Sequence, residues 1–178
     1  MVSGKSFDYG TLCSRVIIKG DQQPKNDAER LQLGQRAYDK AIHATAARLW
    51  GEAIAADPKL GDDRQAGHRY NAACAAAMAG TDQGIDNPMP DAAAKAKLRN
   101  QAQDWLKAEL SAWKKVAMTI APGNKELVAK TLAHWKEDAD LAGVREPLAL
   151  NKLPEVERTE WQALWADVDG LLKKVSAH

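Results

Sequence analysis

Apolar positions recur at helical spacing along most of the chain, and the polar stretches between them fall where helices should end. Leu33, Ala37 and Ala41 share one stripe, and Ala46, Trp50 and Ala53 share the next. Asn26 is placed to cap the first of these helices, with Glu29 three residues on in a capping-box arrangement. A small-residue helix follows over roughly 66–79, with Gly80 as its expected C-terminal stop. Asp91 opens a long helix to about Val116, whose apolar face holds Leu98, Ala102, Trp105, Leu106, Ala112 and Trp113. Asn124 is the expected cap of the next helix, with Val128, Leu132 and Trp135 on its stripe. The last helix starts near Pro154 and keeps Trp161, Leu164, Trp165, Val168, Leu171, Leu172 and Val175 in period. The breaks are "GDQQPKN" at 20–26, "KLGDDRQ" at 59–65, "TDQGIDNPMP" at 81–90 and "APGN" at 121–124. Residues 137–153 read as irregular with one turn after Pro147, and strand character is confined to "RVIIKG" at 15–20. The pattern predicts an all-α fold.

The segment "RLWGEAIAADPKL" at 48–60 places one very large residue, Trp50, between the small Ala46 and Ala53, and stops at Asp57-Pro58. Small residues let helix axes approach closely, an aromatic ring fills the remaining space, and proline prevents the helix from continuing. Residues 27–60 span about 34 positions, the period of a tetratricopeptide (TPR) repeat, whose pattern also asks for the Leu33-Gly34 pair. Arg30 stands where that pattern prefers Trp, and Ala37 where it prefers Tyr, with Tyr38 adjacent. No glycine marks a turn in "KAIHAT" at 40–45, so one uninterrupted helix over 27–56 competes with a helical hairpin. A second, degenerate unit begins near Ala66 and is split by the 81–90 insertion.

The 25 basic residues nearly cancel the 24 acidic ones, leaving a net charge of +1 and no basic surplus of the kind a nucleic-acid binder carries. Cys13 and Cys74 lie far apart in different segments, which argues against a disulfide framework and for a reducing cytoplasm. The N-terminus lacks a signal-peptide h-region, and the longest apolar run, 72–79, is far short of the roughly 20 residues that span a bilayer.

Four strings, "AGHRYNAACAAAMAG" (66–80), "QAQDWLKAELSAW" (101–113), "TLAHWKEDADLAGVRE" (131–146) and "LPEVERTEWQALWADVDGLL" (153–172), carry a more specific signal. With the lead-in "KGDQQPKNDAERLQLGQ" (19–35), they resemble the C-terminal TPR-like region of planctomycete-type bacterial multidomain serine/threonine protein kinases. The resemblance covers nearly the whole chain from about residue 12. In that family the kinase domain lies upstream, so the resemblance implies a non-catalytic tail or a stand-alone relative. No Gly-rich loop, lysine-bearing strand, His-Arg-Asp or Asp-Phe-Gly segment is present, so no catalytic residue carries over.

Other chemistry is sparse. "SGKS" at 3–6 lacks the glycine five residues earlier that a phosphate-binding loop needs. His43, His68, His134 and His178 show no metal-type pairing, and His68 and Cys74 fall on different helix faces. Cys74 sits among alanines, where burial raises a thiol pKa, and reads as a core residue. The basic residues Lys95, Lys97, Arg99, Lys107, Lys114 and Lys115 read as a solvated face, with a docking strip as the rival. The tryptophans Trp105, Trp113, Trp135, Trp161 and Trp165 read as wedges between helices, with a ligand pocket as the rival.

These readings combine into three segments: a lead-in over 1–25, two degenerate TPR-like hairpins over 26–116, and capping helices over 117–178 packed with them. The expected role is a cytoplasmic, non-enzymatic protein–protein interaction or scaffold module associated with a kinase, needing no cofactor or metal. Its expected partner is a protein or peptide, not a nucleic acid, a membrane or a small molecule. The candidate groove, from the first helix of each pair, holds Leu31, Gln35, Tyr38, Tyr70, Asn71 and Cys74. Lys and Asn are missing where a carboxylate clamp needs them, at Leu31 and Gln35, so that subclass does not fit. The rival functions are a structural cap on a longer repeat array, favoured by exposed Leu12, Val16 and Ile17, and a Trp-lined ligand-binding domain.

Overall fold

The computed structural model describes residues 23–119 and 121–177. "SGKS", "RVIIKG", Leu12, Cys13, Val16, Ile17 and His178 lie outside them. Among the described residues the fold is all-α, with eight α-helices, one 3-10 helix and no strand.

Residues 27–56 form a hairpin. α1 (Asp27–Asp39) starts at Asn26, whose side chain accepts from Glu29 N at 2.9 Å, while Glu29 Oε2 accepts from Lys25 N. It ends in a Schellman turn with Ala41 in the left-handed region (φ 57°). There Ile42 N donates to Ala37 O at 2.9 Å, and Ala41 N donates to Tyr38 O at 2.8 Å. The left-handed position expected of glycine is thus taken by alanine, which is why sequence alone left the one-helix alternative open.

α2 (His43–Ala56) packs against α1 across Gly34. A Cβ at Gly34 would lie 3.0 Å from Trp50 Nε1, so the missing side chain is what lets the indole lie on α1. Trp50 is fully buried between Ala46 and Ala53, both of them also sealed from solvent. Asp57 ends α2 and caps α3 (Pro58–Asp62), accepting from Lys59 N at 3.1 Å, with Pro58 in the first helical position. The Asp-Pro pair therefore stops one helix and starts a short one within the stretch 59–65 read as loop.

α2 has no cap from its own neighbours, because its N-cap residue is Ile42. Asp86, buried in the 81–90 loop, supplies one from a distance. Its carboxylate accepts from Ala44 N at 3.0 Å and Thr45 N at 3.1 Å, while Ile85 N donates to Ala41 O at 2.8 Å.

α4 (His68–Gly80) packs on α2 and on α5 (Ala92–Met118), and is buried on all sides from Ala72 onward. Gly80 is not its left-handed terminator; Asp82 is, at φ 64°. Gly80 remains helical, and a Cβ there would come within 2.6 Å of Arg99 Cγ on α5. The glycine serves close helix approach. Asp91 caps α5 as expected, accepting from Ala94 N at 2.8 Å.

The basic residues of α5 are largely engaged within the chain. Arg99 donates to Gly80 O at 2.7 Å and forks onto both carboxylate oxygens of Glu157 at 2.6 and 2.9 Å. Lys95 pairs with Asp82, Lys107 donates to Gln103, and Lys114 lies 3.3 Å from Asp167.

α6 (Asn124–Glu137) is capped by Gly123 rather than Asn124; Asn124 is the first helical residue and its side chain turns back onto Thr119. It packs against α8 (Glu155–Ser176). Between them the stretch read as irregular holds a 3-10 helix, η1 (Ala139–Val144), and α7 (Pro147–Leu150). Buried residues from α1 to α8 form one contiguous cluster. Among the described residues no helix is long and apolar enough to cross a membrane.

Candidate functional site

Three of the six predicted groove residues come together. Tyr38 closes α1, while Tyr70 and Cys74, four apart, share a face of α4. All three face the start of η1, which packs on α4. The Tyr38 hydroxyl donates to Asp140, and the Tyr70 hydroxyl donates to Asp138 Oδ2 at 2.7 Å. The other Asp138 oxygen accepts from Asp140 N at 3.0 Å, an Asx turn that starts η1. Tyr70 stacks on Trp135 with ring centroids 5.3 Å apart, and Tyr38 meets His43 edge-on at 5.3 Å.

The remaining candidates are dispersed. Leu31 is half-buried against the core, Asn71 is half-buried on α4, and exposed Gln35 donates to Asp39 at 2.9 Å. The residues that complete the cluster, Asp138 and Asp140, were not among those predicted. Their signal was local: "DADLAGV" places an Asx-turn aspartate ahead of Leu141 and Val144, which are three apart and both fully buried.

Cys74 Sγ and one oxygen each from Asp138 and Asp140 lie within 4.8 Å of one another, a donor set that could meet a divalent ion. The protonation states oppose that use. Burial, and then the two carboxylates, push the Cys74 thiol well above its ordinary range, and a metal needs the thiolate. Both carboxylates already accept tyrosine protons. What the arrangement does is fasten η1 to the inner faces of α1 and α4, through hydrogen bonds to charged groups worth about 1.5–3 kcal/mol each.

Burial raises both phenols above the ordinary value of 10.0, helped at Tyr38 by Asp140 and at Tyr70 by Cys74 and Asp138. A group whose folded pKa lies above its unfolded one contributes stability that is complete below the unfolded value and is lost as pH rises through the folded one. The urea midpoint should therefore fall above about pH 10, and less steeply in Tyr70→Phe, which starts from a lower stability. Phenolate absorbance showing Tyr70 ionised near pH 10 while the protein is still folded would contradict this.

His43 is buried with its Nδ1 unpartnered, and burial lowers its pKa in spite of Asp86 nearby, which keeps the ring neutral beside Tyr38. The tryptophans act as wedges where their contacts are defined. Trp165 Nε1 donates to Val144 O at 2.8 Å, and Trp161 and Trp135 are fully buried. Trp105 is half-exposed over Gly51, in a shallow groove between α2 and α5.

No protein-family model, curated protein or solved structure matches the chain.

Proposed function

We propose that this chain is a cytoplasmic, non-catalytic protein–protein interaction module of TPR-like construction, serving a bacterial serine/threonine kinase. The observation that carries the reading is the fit of Trp50 over Gly34, the small-against-large complement that the repeat pattern requires between its two helices. The α4–α5 pair, with Gly80 against Arg99, is the second unit, and α6 to α8 close the core. The sequence resemblance supplies the link to a kinase.

In a TPR groove the first helices face the ligand. Here the part of that face formed by Tyr38, Tyr70 and Cys74 is covered by η1, whose Leu141 and Val144 are fully buried. Recognition on the first helices therefore falls to the remaining candidates, exposed Gln35 and half-buried Leu31 and Asn71, which lie apart from that covered cluster. Affinity capture from the cells that express the protein, comparing wild type with Gln35→Arg/Asn71→Ala, tests this once circular dichroism shows the variant folded. A kinase recovered by wild type and lost by the variant is the expected result. Equal recovery by both would remove the groove, and no specific partner at all would leave the chain as a structural cap.

A further inference from the structure

The end of α5, the start of α6 and the last turns of α8 enclose a cavity of about 220 Å³. Its apolar wall is Ala117, Met118, Leu171 and Val175, and each of the three helices adds one lysine: Lys114, Lys125 and Lys174. No carboxylate is among its lining residues. Lys114 has a partial partner in Asp167, but among the described residues no carboxylate pairs with Lys125 or Lys174. Lys174, in the last turn of α8, suits the negative end of that helix. Lys125 does not have this explanation. It sits in the first turn of α6, where the helix dipole disfavours a cation. Met118 is 73% exposed at the mouth, an apolar residue left in water.

The size and surroundings select the occupant. Pockets for drug-sized ligands start near about 300 Å³, so this slot holds roughly one large side chain. It opens into a shallower depression of about 780 Å³, which shares Ala117, Met118, Lys125 and Val175, continues over Pro122 and Ala129, and carries one carboxylate, Glu126, so the acidic groups of an occupant are placed at the slot rather than along the depression. That is room for backbone on either side of an anchored side chain, whereas an acyl chain needs a longer enclosed channel. We propose that this slot docks an acidic peptide segment of a partner protein, seating one apolar side chain against Met118, Leu171 and Val175 with carboxylates at the three lysines. The surface is distinct from the α1–α4 face, so it stands or falls independently of the groove argued above.

The probe is a fluorescein-labelled synthetic peptide of Glu, Gly and Ser with one central Leu, followed by fluorescence anisotropy. Two controls replace the Leu with Ser, or every Glu with Gln. Saturable, salt-sensitive binding of the Leu/Glu peptide, weaker for both controls, is expected. The exposed-site double variant Lys125→Glu/Lys174→Glu, verified as folded, should bind it about tenfold or more weakly. Equal affinity for the Leu and Ser peptides, no effect of charge reversal, or no saturable binding would each overturn the proposal. So would sedimentation of the protein with phosphatidylglycerol vesicles that the peptide fails to displace. A Gln35→Arg/Asn71→Ala protein that still binds the peptide separates this surface from the other.

Discussion

Replacing Trp50 with alanine should destabilise the protein by about 3–5 kcal/mol, because it removes a fully buried indole from a helix interface that cannot close over the space. The ring lies on the backbone of Gly34, is flanked by Ala46 and Ala53, and touches Tyr38 with centroids 5.7 Å apart. Collapse would require α1 and α2 to move together, carrying Tyr38 away from Asp140. The partner substitution, Gly34→Ala, should also destabilise, since its Cβ would lie 3.0–3.2 Å from three indole atoms and Trp50 has no free space to retreat into. The informative case is the double variant. With the indole gone the new methyl has room, so Gly34→Ala should cost much less in the Trp50→Ala background than alone. Urea unfolding of the four proteins measures this coupling. Strict additivity would mean that Gly34 is not there to receive the ring.

The second large effect concerns Arg99 and Glu157. The two side chains are only 10% and 16% exposed, and the guanidinium uses its third direction on Gly80 O. Glu157→Ala leaves a buried cation with one carbonyl partner, and should cost about 3–5 kcal/mol, far more than an exposed ion pair would. Arg99→Met/Glu157→Leu, which removes both charges and keeps the volume, should recover most of that loss. Thermal unfolding of the single and double variants decides it. If Glu157→Ala behaves as a surface substitution, the pair is not what joins α8 to the α4–α5 interface.

The residues that carry these predictions show what could be read from the chain. Trp50, Gly34 and the Asp57-Pro58 stop are legible as positions of the repeat pattern, whereas the meeting of Gly34 with Trp50 depends on the turn at Ala41, which no glycine announces. The long helices were legible from their apolar spacing, and α8 kept its apolar stripe from Trp161 to Val175 as expected. Arg99 was legible only as one of several basic residues on a helix, because its partners Gly80 and Glu157 lie 19 and 58 positions away. A helix-face pattern cannot distinguish a solvated arginine from one tied to distant groups. Of the candidate site, the repeat pattern places Tyr38, Tyr70 and Cys74 on the groove side of its first helices, and the hydrogen bonds of both tyrosines to η1 show that side to be covered there. Their acceptors could not be placed from sequence, since Asp138 and Asp140 head a 3-10 turn too short to show a 3.6-residue period. Gly80 was misread for a related reason, because glycine at a helix end serves either a left-handed turn or a close crossing, and the sequence is identical in both.

The carboxylate of Asp86 has a consequence for anyone wishing to regularise this chain into an ideal repeat. Excising residues 81–90 would bring α4 and α5 nearer to the spacing of such a repeat, yet it would strip the amides of Ala44 and Thr45 of the carboxylate that accepts from them, in an α1–α2 hairpin left untouched. A local replacement is blocked, since the capping position belongs to Ile42, whose side chain is already committed to the interior. The loop between α4 and α5 is the clasp on the hairpin before it, and a shortened version would have to be redesigned at both places at once.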